Sequence, residues 1–278
     1  MNELEKLAAM EDPGTRAKAV GDLIDEHQVA IAELSRVRRE AMHEMLANGM
    51  TQSQIAAHLD MTKGRISQLL SAGTRPERAF FGTGKITVAI GAKRETGRTD
   101  PSDTVSAESF SAYDLLADAA RSVGLDASKE VVPAPGLVHL NRPNLIVLTN
   151  PRLLPFLSQV MEADPHIRYV VDDHGWYLTD LTEGKEYRSP RDKGESADYG
   201  YVGRLPRPDG KGTFLYMAGT HAPGTLGAAH YVVDNLSTLY KELKTRRFST
   251  IVRYEFEPGN QLALRSVEQV TPLYRHES

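Results

Sequence analysis

The sequence predicts an α+β chain of two domains: an N-terminal all-α helix-turn-helix domain over residues 1–75, then a three-layer α/β domain with a mixed sheet over residues 80–278. Three observations lead there. Apolar residues recur at three- and four-residue steps up to residue 70, the spacing of amphipathic helices. The run Ala72-Gly73-Thr74-Arg75-Pro76 stops helical structure. Beyond it, β-branched runs alternate with helical stretches, which argues for a sheet covered by helices.

The chain has 278 residues, 40% hydrophobic and 25% charged, enough for a small domain and a second one of about 200 residues. It has no cysteine, which excludes disulfide frameworks, thiolate zinc sites and cysteine nucleophiles and fits a reducing compartment. The first residues carry acids where a secretory signal carries a basic segment, and no stretch approaches the roughly 18 apolar residues of a membrane span. A cytoplasmic protein with no membrane partner is expected. The formal net charge of −4 gives the whole chain no attraction for phosphate, so nucleic-acid binding requires a local basic patch.

Residues 13–48 read as one long helix, with Asp12 as its cap and Pro13 at a position where a missing N–H costs nothing. At about 35 residues it is long for a globular domain. It either breaks near His27 or pairs with its counterpart in a second subunit, and a homodimer is expected. Asn48-Gly49 closes it. Two short helices follow over residues 51–59 and 62–70, each opened by a threonine, Thr51 and Thr62, able to cap a free N–H.

These two helices form the strongest constellation. A helix-turn-helix needs apolar positions to lock two helices at a steep angle, a small residue where they touch, and a tight turn. Ile55, Leu59, Met61, Ile66 and Leu69 supply the first, and Ala56 the second. Asp60 stands where the turn often has glycine; aspartate reaches left-handed geometry at modest cost. The outward face of the second helix then carries Thr62, Lys63, Gly64, Arg65, Ser67 and Gln68, side-chain types that reach base edges or phosphates. Arg65 is the candidate for a bidentate guanine contact. Thr51 and Gln52 are placed to fix a phosphate, and Arg38, Arg39, Arg75 and Arg78 add positive charge. A helical hairpin used for protein contacts is the alternative.

The stretch Ala32-Glu-Leu-Ser-Arg-Val-Arg-Arg-Glu-Ala, followed by Met50-Thr-Gln-Ser-Gln-Ile-Ala and Gly64-Arg-Ile-Ser-Gln-Leu, resembles the helix-turn-helix of actinobacterial regulators similar to region 4 of sigma factors. The resemblance covers residues 1–75. It implies double-stranded DNA as partner; the other sigma-factor regions are not recognised, so polymerase recruitment is not implied.

In the second domain, strands are expected over residues 85–90, 144–148, 213–217 and 249–256, helices over 107–123, 151–163 and 225–244, and a hairpin of 167–171 with 176–181 about His174-Gly175. Residues 93–106 and 189–199 read as exposed loops. Phe80-Phe81 is read as a docking point for the N-terminal domain. The aromatics Trp176, Tyr177, Tyr187, Tyr199, Tyr201 and Tyr216 are expected mostly in the core.

Two strand-to-helix turns are candidate ligand loops, because ligands of open sheets sit at strand C-terminal ends near helix N-termini. The first holds Thr149, Asn150 and Arg152. The second holds Gly219, Thr220, His221, Gly224 and Thr225, residues able to bond a phosphate, carboxylate or ribose. The two converge if their strands are neighbours. The glycines, Gly227 included, equally suit close packing of helix on sheet. The pattern matches neither a Walker loop nor the dinucleotide fingerprint, and no cofactor, metal or catalytic residue is assigned. Asp172-Asp173-His174 reads as turn chemistry. The expectation is a DNA-binding regulator whose second domain takes a small anionic or nucleotide-like ligand. A nucleotide-processing enzyme with a DNA-binding head and a protein-interaction module remain open.

Overall fold

The structure, a computed structural model, describes residues 3–71, 76–82, 84–97 and 99–276. It is mixed α/β with a mixed sheet, and the chain divides into two compact units, residues 1–75 and 76–278. The stop signal at residues 72–75 lies outside the described residues. Among the described residues no helix is long and apolar enough to cross a membrane.

The first unit contains α1 (Glu3–Ala8), α2 (Pro13–Ala47), α3 (Gln52–His58) and α4 (Lys63–Ser71). The Asp12 carboxylate accepts from the Thr15 amide at 2.6 Å and starts α2, which runs unbroken for 35 residues, with no break at His27. Gly49, at φ 88°, closes it. Met42, Ile55, Ala56, Ile66 and Leu69 are buried together and join α2, α3 and α4.

The second unit opens with α5 (Pro76–Phe81), followed by β1 (Ile86–Arg94), β2 (Asp103–Thr104), α6 (Ala107–Ser122), β3 (Ala127–Pro133), β4 (Leu145–Leu148) and α7 (Leu157–Val160). Next come β5 (Ile167–Asp172), β6 (Gly175–Asp180), β7 (Lys185–Tyr187), β8 (Ala197–Pro206), β9 (Thr213–Gly219), α8 (Ala222–Leu243), β10 (Phe248–Glu257), β11 (Asn260–Gln269) and β12 (Tyr274–Arg275). The main sheet runs β11-β10-β8-β9-β4-β1, with β2 and β3 both on β1 and β12 on β10. Its β3, β1, β4 and β9 segment is parallel, and β9, β8, β10 and β11 are antiparallel. β5, β6 and β7 make a separate antiparallel sheet.

Alternation along the strands sorts the core. Ile86, Val88 and Ile90 of β1, with Ile146 and Leu148 of β4, pack with apolar residues of α6 and α8. Ala89, Leu145 and Val147 face the other way and pack with Leu157, Ile167, Tyr169 and Leu178 of α7 and the small sheet. Tyr201 and Tyr216 are fully buried in this second cluster.

Several expectations are corrected. The helix over 151–163 shrinks to the single turn of α7 and a short 3₁₀ turn at Met161–Ala163, because Pro155 lacks an N–H and its ring opposes a continuous helix. The loop over 189–199 contains a 3₁₀ turn at Pro190–Lys193 and the start of β8. Phe80 and Phe81 belong to the core of the larger unit, where Phe80 lies 6.3 Å from the Phe248 ring. Arg204, a buried residue of β8, holds this corner: it donates to the Phe80 and Lys244 carbonyls at 2.7 and 2.8 Å and lies over the Phe80 ring. Burial lowers its pKa to about 10, so it stays charged at neutral pH. Arg78 also serves this unit, donating to the Val123 carbonyl at 3.4 Å.

The glycines of the β9–α8 turn have a packing role. A Cβ on Gly224 would lie 2.0 Å from the Tyr199 carbonyl oxygen, and one on Gly227 would lie 2.2 Å from Tyr254 Cβ. In an exposed helix, replacing Gly227 by alanine gains up to about 1 kcal/mol. Here the clash with β10 opposes that gain and costs about 1–3 kcal/mol or more. Gly227→Ala is therefore expected to lower stability in urea unfolding, with net stabilisation the contrary result.

Candidate functional site

β1 and β4 lie side by side and parallel, with Val88 opposite Ile146 and Ile90 opposite Leu148. The chain leaving β1 returns through α6 to β3 on one side of β1, whereas the chain leaving β4 leads to β9 on the far side of β4. The two connections part at the C-terminal ends of β1 and β4. That divergence opens a crevice, the place where open α/β sheets bind ligands. A cavity of about 210 Å³ occupies it, lined among others by Gly91, Lys93, Ser106, Thr149, Arg152 and Thr225.

Local chemistry explains how each comes to be there. Gly91 lets the Thr149 side chain lie against β1, because a Cβ at that position would sit 2.1 Å from Thr149 Oγ1. Thr149 is only 4% exposed, and its hydroxyl has no hydrogen-bond partner. Asn150 ties the two turns together: Nδ2 donates to the Gly219 carbonyl at 3.2 Å, and Oδ1 accepts from the Leu153 amide at 3.4 Å. The neighbouring strands thus do bring the two predicted loops into contact. Thr225 Oγ1 accepts from the Gly219 amide at 2.8 Å. Ser106 caps α6 by accepting from the Ser109 amide at 3.1 Å.

Thr149, Asn150, Arg152 and Thr225 line the cavity; Gly219, Thr220, His221 and Gly224 do not. The anion expected at that second turn has a counterpart inside the protein. The buried carboxylate of Asp198 accepts from the His221 amide at 3.0 Å, the Gly224 amide at 2.7 Å, the Ser189 hydroxyl at 2.6 Å and the Thr220 hydroxyl. It fills the N-terminal end of α8, where unpaired amides favour negative charge. His221 Nε2 faces Asp192 Oδ1 at 2.8 Å. The residues that sequence reading missed are Gly91, Lys93, Thr104, Ser106 and Ser109. Most fell in the segment read as a loop, although Ser106-x-x-Ser109 is a legible cap signature.

No protein-family model, characterised protein or solved structure matches the chain.

Elsewhere in the larger unit, Ser249, His276 and Asp164 have the composition of a hydrolytic triad but a different geometry. Ser249 Oγ and Asp164 Oδ1 both approach the same histidine nitrogen, Nε2, at 3.0 and 3.3 Å. A proton relay needs them on opposite ring nitrogens. All three residues are buried, and Asp164 also accepts from the His166 and Ile167 amides and the Tyr201 hydroxyl. Burial acts to raise the Asp164 pKa, but hydrogen bonds from His276, the His166 amide and Tyr201 hold it below the ordinary value. The cluster fastens the C-terminal segment. Asp172 is likewise a turn residue, accepting from the His174 amide at 2.9 Å and pairing with Arg188. Among the described residues no cluster of three or more His, Asp or Glu is placed to hold a metal.

In the first unit, Thr51 and Gln54 form a reciprocal cap on α3, the Thr51 amide donating to Gln54 Oε1 at 2.8 Å and the Gln54 amide to Thr51 Oγ1 at 3.3 Å. Thr62 Oγ1 accepts from the Arg65 amide at 3.1 Å. Asp60 has φ 51°, so the turn between α3 and α4 does use a left-handed residue. Thr51, Thr62, Lys63, Gly64, Arg65 and Ser67 are exposed, and Gln52 is half-buried. Of Gln68 only the backbone, within α4, is described.

Asp198→Asn tests whether the turn is held by charge. The amide keeps one acceptor oxygen and turns an NH₂ toward donors, so at least one buried donor loses its partner. A loss of about 2–4 kcal/mol is expected in urea unfolding, and an unchanged midpoint would contradict this account.

Proposed function

We propose that the chain is a cytoplasmic, sequence-specific DNA-binding regulator of transcription. In this reading α3 and α4 form a helix-turn-helix within an all-α domain akin to sigma-factor region 4, and the larger unit is a three-layer sensor domain taking a small ligand at the end of β1 and β4. The observation that carries it is the sidedness of α4. Ile66 and Leu69 are 0% and 8% exposed against Met42, Ile55 and Ala56, while Lys63, Gly64, Arg65 and Ser67 are exposed. A helix so held by its underside presents its N-terminal side chains as a recognition helix does.

The test is selection of duplex fragments from a random pool by the full chain, followed by affinity measurement against salt. Arg65→Ala is expected to weaken the selected site by about 5- to 150-fold, or about 1–3 kcal/mol, and to relax preference at one base pair. Lys63→Ala is expected to weaken all sequences alike and flatten the salt dependence. Failure to enrich any sequence, or unchanged affinity in both variants, overturns the reading.

A second copy of the chain is the partner proposed for α2. Val20, Ile24, Ile31 and Leu34 are exposed on it, Ile31 and Leu34 by 61% and 67%. With His27 between them they follow alternating steps of four and three, the spacing of a coiled-coil seam. Sedimentation equilibrium is expected to give a dimer for the natural chain and a monomer for the Ile31→Lys, Leu34→Lys double variant; a monomeric natural chain at tens of micromolar would exclude the pairing.

A further inference from the structure

The crevice at the end of β1 and β4 has a charge character that narrows its ligand. Two cations, Lys93 and Arg152, line it, and no lining residue is acidic, in a chain whose net charge is −4. Among the described residues neither cation has a carboxylate partner. The remaining polar lining is mostly hydroxyl: Thr104, Ser106, Ser109, Thr149 and Thr225.

Helix geometry adds to this field. The sixteen-residue α6 begins at the crevice, with Ser106 as its cap. The cap occupies the Ser109 amide, while the amides of Ala107 and Glu108 have no intrahelical acceptor and carry the positive end of the helix dipole. The second observation is independent of the helix. The Thr149 hydroxyl, almost wholly buried at the crevice wall, is without a partner. A buried donor left so is costly, by about 1–3 kcal/mol, and turning the hydroxyl from Gly91 toward the crevice lets an acceptor oxygen there remove that cost.

We propose that this crevice binds the phosphate of a small phosphate monoester. Two cations match a dianion, and the Ser109 and Thr225 hydroxyls with the free amides of α6 add donors to them, while Thr104 already donates to the Lys93 carbonyl and Ser106 to Ser109. Guanidinium and ammonium groups together recognise phosphate, one as a planar fork and the other as a point charge. The cavity of about 210 Å³ exceeds a bare oxyanion; it equals some seven water volumes of about 30 Å³. Val105, Leu148 and Leu153 supply an apolar wall for the carbon skeleton. This inference rests on reading the larger unit as ligand-binding, and not on DNA binding by α4.

The experiment is isothermal titration calorimetry on the full chain without DNA, using ribose 5-phosphate, AMP, inorganic phosphate and ribose. At least one of the two monoesters is expected to bind, more tightly than inorganic phosphate, and ribose is expected to give no heat. Lys93→Ala and Arg152→Ala, both at exposed positions and so compatible with folding, are each expected to weaken the monoester by about tenfold or more. Thr149→Val keeps the shape, removes the hydroxyl, and is expected to weaken it by a smaller factor. No binding of either monoester, inorganic phosphate binding as tightly as they do, or monoester affinity unchanged in both cation variants overturns the proposal. Loss of sequence selection by α4 leaves these outcomes untouched, so the two readings fail separately.

Discussion

The carboxylate of Asp198 sets the geometry on which the larger unit depends. It is buried in β8 and accepts from two amides at the start of α8 and from the hydroxyls of Ser189 and Thr220. A buried charge is tolerated only when hydrogen bonds replace its hydration, and here the donors come from two separate stretches of chain, Ser189 and the turn over residues 220–224. The same contact lets Gly200 of β8 and Gly224 of α8 approach so closely that neither has room for a Cβ. Helix, central strand and the segment before β8 are thereby locked together. The consequence for function is a division of labour: the N-terminus of α8 is neutralised from within, and that of α6 faces the crevice.

How much of this was legible follows from the kind of signal each element carries. β1, β4, β9 and β10 are buried on both faces and appear as β-branched or aromatic runs; α6 and α8 carry helical spacing over several turns. β8 escaped because Ala197-Asp-Tyr-Gly-Tyr-Val-Gly-Arg-Leu-Pro has two glycines and two charges, which ordinarily mark a loop. Those residues are present for reasons that only the fold reveals: Gly200 faces α8, Gly203 has the Tyr201 ring against it, Asp198 caps α8 and Arg204 meets helix ends. β11 alternates half-buried and exposed positions and gives a weak apolar signal. Residues 151–156 look helical by composition, yet Pro155 prevents it.

The ligand loops show the same limit from another side. Proximity of the Thr149 and Gly219 turns was readable as a condition, since strands that neighbour one another bring their C-terminal ends together. Which turn keeps its polar groups free was not readable, because Asp198 comes from the neighbouring strand β8, a segment that reads as a loop in the sequence. A glycine-rich turn before a helix looks like an anion site whether its amides await a ligand or already hold a carboxylate. Gly91 illustrates the converse: in sequence it is a mild defect in a strand, and in the fold it makes space for the Thr149 side chain.

Within the larger unit, α8 connects the crevice to the helix that follows residue 75. Its first turn contributes Ala222 and Thr225 to the crevice, and its 22 residues extend about 33 Å at 1.5 Å per residue. At the far end, Arg204 binds the Lys244 carbonyl just beyond α8 and the Phe80 carbonyl of α5. A rigid rod with the crevice at one end and α5 at the other is suited to carry a small displacement, since packed cores shift as units and do not deform gradually. Continuity alone is not coupling: a bound molecule shifts an equilibrium only by the difference in its own binding free energy between two arrangements of α8. The tight seat of α8 on Tyr199 and Tyr254 restricts those arrangements to ones that move helix and central sheet together. Within the larger unit, a displacement of α8 therefore appears at the α5 corner, around Phe80 and Arg204.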